Sequence, residues 1–152
     1  MTGPSFRFRL ERVRAVRERK EKLAQQELAR SMSRLGDTRA ELRTAEESVR
    51  RAQAEQRTAS AAAEPVGAAE LQARQAFLER VEENRSRRAQ DVRRGEAEVV
   101  DLGAKLVVAA SEHEMLNRLR ERRRGEHDRE VARTEGKLMD EIAATRSGRS
   151  VA

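Results

Sequence analysis

His113 and His127 are the only imidazoles in the chain, and each lies between carboxylates, in Glu112-His113-Glu114 and Glu126-His127-Asp128. Such triplets could serve acid–base chemistry or hold a metal. On a helix, however, adjacent residues point in different directions. Without a cysteine in the chain, neither histidine anchors a recognisable zinc site, and disulfides are excluded. The glycines are isolated and none sits in a strand–loop–helix context, so no phosphate-cradling loop is expected. Both histidines are therefore read as solvated or at the edge of a packing seam. No cofactor, metal or small-molecule substrate is expected, and the chain is not read as an enzyme.

The densest reactive feature is basic: Arg118-Leu119-Arg120-Glu121-Arg122-Arg123-Arg124. On a long helix such a run is commonly a solvated face with local Glu–Arg pairing. Two functional readings stand beside that one. Arginines of this density could hold nucleic-acid phosphates, with affinity that falls steeply as salt rises. They could equally meet an acidic groove or ring on a protein partner. The scarcity of aromatic residues for base stacking makes nucleic acid the weaker choice. The net charge of +6 is unevenly spread: residues 1–34 carry +6, 35–64 carry −1, 65–117 carry −2 and 118–152 carry +3. All the excess positive charge lies at the two chain ends.

The elements that must position these groups are long helices. Charged residues make up 39% of the chain and aromatics only 2%, too little bulk for a compact core of this size. Abundant Ala, Glu, Arg, Leu and Gln suit helices that bury only a narrow stripe; disorder, the competing reading of such a composition, is opposed by sustained apolar periodicity. Pro65, followed by Gly67, interrupts the pattern, because proline removes a helix donor and clashes with the preceding turn. The expected fold is all-α, a single coiled-coil hairpin of two antiparallel helices. Helix 1 spans about 6–60, the turn about 61–67, helix 2 about 68–146, and the tail 147–152 is disordered.

Helix 1 carries Leu10, Val13, Val16, Leu23 and Ala24, and then a seven-residue series, Leu28, Leu35, Leu42 and Val49. Ser31, Thr38, Ala45 and Ala52 occupy the alternating seam positions. The change of spacing between Leu23 and Leu28 resembles a stutter. Helix 2 offers Leu71, Leu78, Val81, Val92, Val99, Leu102, Leu106, Ala109 and Leu116, interrupted by Arg85, Arg88, Gly95 and His113. Folding at Pro65 pairs residues whose numbers sum to roughly 130, so that Val13 nears Leu116 and Leu23 nears Leu106. Gly36 then lies near Gly95, where a weak or bent layer is expected. At ~1.5 Å per residue the first helix is ~80 Å long and the second ~115 Å, so residues 121–146 overhang without a partner from the first. An isolated overhang is marginal in water, and a partner covering Leu138, Met139 and Ile142 is the favoured expectation.

No run approaches the ~18 apolar residues of a membrane span, and the start lacks a signal-peptide core, so a cytoplasmic chain is expected. The two ends add a resemblance. Phe6-Arg7-Phe8-Arg9-Leu10-Glu11-Arg12-Val13 resembles the Phe-x-Phe-x-Leu opening of the FliJ family of flagellar export proteins. Leu116-Asn117-Arg118-Leu119-Arg120-Glu121-Arg122 and Asp140-Glu141-Ile142-Ala143 are similar to that family's other end. The resemblance implies a non-enzymatic coiled coil, stalk-like, of the flagellar type III export apparatus. It implies that the helix ends bind the hexameric export ATPase and promote its assembly and activity. It also implies contacts with the export-gate membrane protein and with export chaperones, hence a cytoplasmic protein peripheral to the inner membrane through partners only.

Carried onto this sequence, the ATPase-facing residues are Phe6, Phe8, Leu10, Val13, Arg17, Leu119, Arg122, Leu138, Asp140 and Glu141. The gate-facing residues are Leu78, Val81 and Arg85; family members can place an aromatic slightly earlier, where this chain has Arg74. Three alternatives remain: the equivalent stalk of a virulence type III secretion system, a basic nucleic-acid-binding coiled coil, and a structural coiled coil.

Overall fold

The computed structural model describes residues 5–61 and 66–149. It contains two long helices, α1 (Glu11–Ala61) and α2 (Ala68–Arg149), and no strand among the described residues. Most of the expected turn, including Pro65, falls on 62–65, outside the described residues. The chain divides into two compact units, Leu23–Leu106, and Met1–Lys22 with Val107–Ala152; we call them the hairpin unit and the terminal unit.

Both helix starts have local causes. The Phe8 carbonyl accepts from the Glu11 amide at 3.1 Å and the Leu10 carbonyl from the Arg14 amide at 2.9 Å, which closes the first turn of α1. Glu11 adds a carboxylate where the helix dipole favours one. At α2 the Gly67 carbonyl accepts from the Glu70 and Leu71 amides at 3.0 and 3.1 Å, so Gly67 is the N-cap. α1 begins at Glu11 rather than near Phe6, because Ser5–Phe8 is not helical. α2 continues to Arg149, beyond the point at which a disordered tail was expected.

In the hairpin unit the seven-residue series does its expected work. Leu35 and Val49 are buried, with Ser31, Ala45 and Ala52 between them, against a face of α2 that buries Val92. Large residues alternate with small ones, which is how knobs find holes along a coiled coil. Antiparallel pairing is marked on the outside by Arg34–Glu98, Arg39–Glu96 and Glu41–Arg88, each 2.7 Å. Their numbers sum to roughly 130, the register expected of a fold-back near Pro65. These pairs are exposed, so each contributes only ~0–1 kcal/mol.

Two expectations about this unit need correction. The glycines do not face each other. A Cβ on Gly36 would meet nothing within 4 Å, whereas one on Gly95 would lie 3.1 Å from Leu35 Cδ1. Leu35 fills the space that Gly95 leaves, so the layer is packed rather than weak. Leu23 is not a seam residue: it is 59% exposed, and the neighbouring Ala24 is the half-buried position. Stepping back from Leu28 by four residues reaches Ala24, and Leu23 falls about 100° away on the helix.

In the terminal unit the same geometry moves Val13 and Val16 out of the interface, and Val16 is 61% exposed. The half-buried positions of α1 here are Glu11, Arg14, Ala15, Arg17, Glu18 and Glu21, all but one of them charged. Only Ala109 is fully buried in this unit among the described residues. The expected meeting of large apolar residues is replaced by hydrogen bonds. Arg14 donates to Asn117 Oδ1 at 3.4 Å, Asn117 Nδ2 lies 3.3 Å from His113 Nε2, and His113 Nδ1 lies 2.6 Å from Glu21 Oε2. With the imidazole proton on Nδ1, the amide donates to Nε2 and the ring donates to the carboxylate, so every group has a matching neighbour. Arg17 joins Glu112 at 2.6 Å, with Lys20 3.6 Å from the same carboxylate.

Candidate partner-binding end

Residues 5–8 form a non-helical strap, joined to α1 by a turn at Arg9–Leu10, rather than the opening of a helix. Ser5, Arg7 and Arg9 are exposed while Phe6 and Phe8 are half-buried, so exposed polar and partly covered apolar side chains alternate along the strap. The apolar side chains lie on α2. Phe6 meets His127 edge to face, with ring centroids 5.6 Å apart and an interplanar angle of 61°. Such geometry sets the positive edge of one ring against the face of the other. Phe6, Phe8, Leu10, Leu119, Arg123 and His127 line one shared cleft.

The strap corrects one expectation. The overhang of α2 is shorter than 121–146, because the N-terminal segment covers α2 as far as His127 and Glu130. Of the two readings given for the histidines, the seam edge is the one seen, since both are half-buried. His113 has 15% side-chain exposure within the polar network, and His127 sits under Phe6 with Nδ1 buried and without a hydrogen bond. Among the described residues no group of histidines and carboxylates is arranged to hold a metal ion.

The residues expected to face an ATPase divide into four sets. Phe6, Phe8, Leu10 and Leu119 are brought together in the strap cleft. Val13 is exposed on the outer face of α1. Arg17 is engaged by Glu112. Arg122 is exposed beside Met115 and Leu119, and Leu138, Asp140 and Glu141 are exposed farther along α2. The structure does not bring the Leu138–Glu141 set to the strap. Of the gate-facing residues, Leu78 and Val81 are half-buried and Arg85 is exposed, beside Glu46 and Arg50.

Sequence reasoning missed Glu11 and Met115. Glu11 accepts from Arg14 at 2.7 Å and lies 3.5 Å from Arg120, fastening the start of α1 to α2. The Arg14 hydrogen bond, with the charges of Arg14 and Arg120, holds the Glu11 carboxyl below its usual range. Glu18 is lowered as well, first by its hydrogen bond from Lys22. Met115 is a large exposed apolar residue on the side of α2 away from Ala109 and Leu116. Its helical spacing from Val108, also exposed, was the available signal.

No helix among the described residues is long and apolar enough to cross a membrane. The family model described as Flagellar FliJ protein matches residues 6–152. No curated protein and no solved structure matches the chain significantly. With the match running from the strap through both helices, the chain belongs to the FliJ family of flagellar export-associated proteins.

Proposed function

We propose that this chain is a stalk-like accessory of the hexameric flagellar export ATPase, gripped by the ATPase at the terminal unit. The observation that carries the reading is the coincidence of exposed apolar and basic groups in this unit. Leu10, Val13, Met115, Leu138, Met139 and Ile142 are exposed; Arg7 and Arg9 lie beside Leu10, and Arg122 beside Met115, none of the three in an ion pair among the described residues. In the hairpin unit, by contrast, Leu35, Val49 and Val92 are buried, and Arg34, Arg39 and Arg88 are paired across the helices. Apolar anchors surrounded by arginines are what an acidic-rimmed ring would recognise.

In this reading the chain catalyses nothing. It promotes ring assembly and ATP hydrolysis by binding, and links the ATPase to the export gate and to export chaperones. It works in the cytoplasm and reaches the inner membrane only through partners. Leu78, Val81 and Arg85 are the gate-facing candidates, with Arg85 the most accessible of the three. The test is stimulation of the purified ATPase by the full chain and by a chain ending at Arg120. Stimulation should be lost with the truncated chain; equal stimulation by both overturns the reading. Replacing Leu138, Met139 and Ile142 together with serine should weaken stimulation without loss of helicity.

A further inference from the structure

The strap and a partner compete for the same side chains. Phe6 and Phe8 spend their apolar face on α2, over Leu119 and His127. A side chain seated there cannot also enter a pocket on another protein. The way the strap is attached makes release feasible. Among the described residues no backbone–backbone hydrogen bond ties Phe6 or Phe8 to α2; the Phe8 carbonyl accepts instead from the Glu11 amide. The attachment is by side chains alone, so it opens more readily than a paired strand would.

Release would not unravel α1. The Leu10 carbonyl, at the pivot, keeps its bond from the Arg14 amide, and Glu11 remains fastened through Arg14 and Arg120; only the bond from the Glu11 amide to the Phe8 carbonyl is given up. The turn at Arg9–Leu10 is the natural pivot. Departure of the strap uncovers Leu119 and the ring of His127, whose Nδ1 has no hydrogen bond in the covered state. It also frees Phe6 and Phe8 beside the exposed Arg7 and Arg9.

We infer that residues 5–8, hinged at Arg9–Leu10, are an exchangeable, self-masking strap. In the isolated chain the strap occupies the Leu119–Glu130 face of α2, and engagement of the ATPase proposed above requires its release. The inference rests on that reading for its partner, but the strap itself can be measured without one. It also explains why two aromatic residues near the start of so polar a chain need not cause self-association: they are covered until a stronger site is offered.

The chain has no cysteine, so two introduced thiols are unique. Ser5→Cys with Glu130→Cys places them at the end of the strap and at the cleft; Ser5→Cys with Lys137→Cys is the distant control. With a short, reducible bis-maleimide, the first pair should cross-link at least about tenfold faster than the second. Equal rates overturn the docked strap. In the wild-type chain, hydrogen exchange across residues 119–130 should be slower than in Phe6→Ala/Phe8→Ala, by about five- to tenfold. No difference overturns it as well.

The release step is read by binding of the first pair to the purified hexameric ATPase, before and after reductive cleavage of the linker. Binding should be lost at least about tenfold when linked and recover on cleavage. Equal binding in both states overturns the requirement for release. If neither the cleaved nor the wild-type chain binds the ATPase, the ATPase reading fails and the release step with it, while cross-linking and exchange still decide whether the strap docks.

Discussion

The hairpin unit and the terminal unit are built from the same two helices and solve the same problem with different chemistry. In the hairpin unit Leu35, Val49 and Val92 are buried between small residues, and the charges lie outside. In the terminal unit the corresponding layer is Arg14, Asn117, His113 and Glu21, while Val13 and Val16 face outward. An apolar seam gains stability from burial and is tolerant of small changes in geometry. A polar layer gains little net energy but demands that every donor meet its acceptor. One unit therefore rests on an apolar seam, while the other turns Val13 and Val16 away from a polar layer.

That contrast can be broken first at Leu35. Leu35→Ala removes a buried side chain at the position where Gly95 leaves no Cβ to collapse inward, and should cost about 2–4 kcal/mol. Denaturant unfolding with hydrogen exchange should place the loss in residues 23–106. If exchange accelerates equally in both units, they are one cooperative body and the contrast is too sharp.

The polar layer should respond in the opposite sense to single and paired changes. Glu21→Leu alone leaves His113 Nδ1 half-buried beside an apolar group and should destabilise by about 1–3 kcal/mol. Glu21→Leu with His113→Leu removes both partners and should be close to neutral or stabilising. A double variant as unstable as the single would mean that the network, rather than one uncompensated group, holds this unit.

The glycines offer a finer comparison within the hairpin unit. Gly36→Ala adds a methyl into open space and should stabilise by about 1 kcal/mol through helix propensity. Gly95→Ala gains the same propensity but presses Leu35 at 3.1 Å, so it should be less stabilising than Gly36→Ala, by about 1 kcal/mol. Paired thermal melts decide this; an equal gain at both positions would mean that Leu35 yields freely.

The smallest effect is in acid. Glu11 and Glu18 are held below the ordinary carboxylate value of 4.5 by Arg14 and Lys22. Their contribution is complete above the unfolded pKa and is lost as pH falls through the lower folded values. Amides at the start of α1 should therefore exchange faster below pH 4.5, beyond the ordinary pH dependence of exchange, and salt should blunt the effect. Exchange near Val49 should show no such acid step.

The seam of the hairpin unit was legible because Leu28, Leu35, Leu42 and Val49 repeat every seven residues, and only one face of a helix can carry such a series. The terminal unit was not, for a definite reason. Leu10, Val13, Val16 and Leu23 also recur at helical spacing, but spacing alone does not say which stripe meets the other helix. Burial follows the stripe continuous with Ala24 and Leu28, and that stripe happens to be polar. The strap was misread because Phe6 and Leu10 fit a helical turn as well as they fit alternation. The better signal was Phe-Arg-Phe-Arg-Leu itself, a period of two before the first acidic residue, Glu11. The glycines were placed at the right height but given the wrong roles, since register cannot show which way a missing side chain faces.

The fit of Leu35 against Gly95 has a mechanical consequence. A seven-residue repeat is ambiguous to translation, and helices held by it alone can slip past one another one heptad at a time. Slipping α2 by one heptad would bring either Leu102 or Arg88 to the place of Gly95. The first would crowd the layer and the second would bury a charge. Leu35 thus sits as a key in the slot that Gly95 leaves, and this layer opposes axial shear of the hairpin unit.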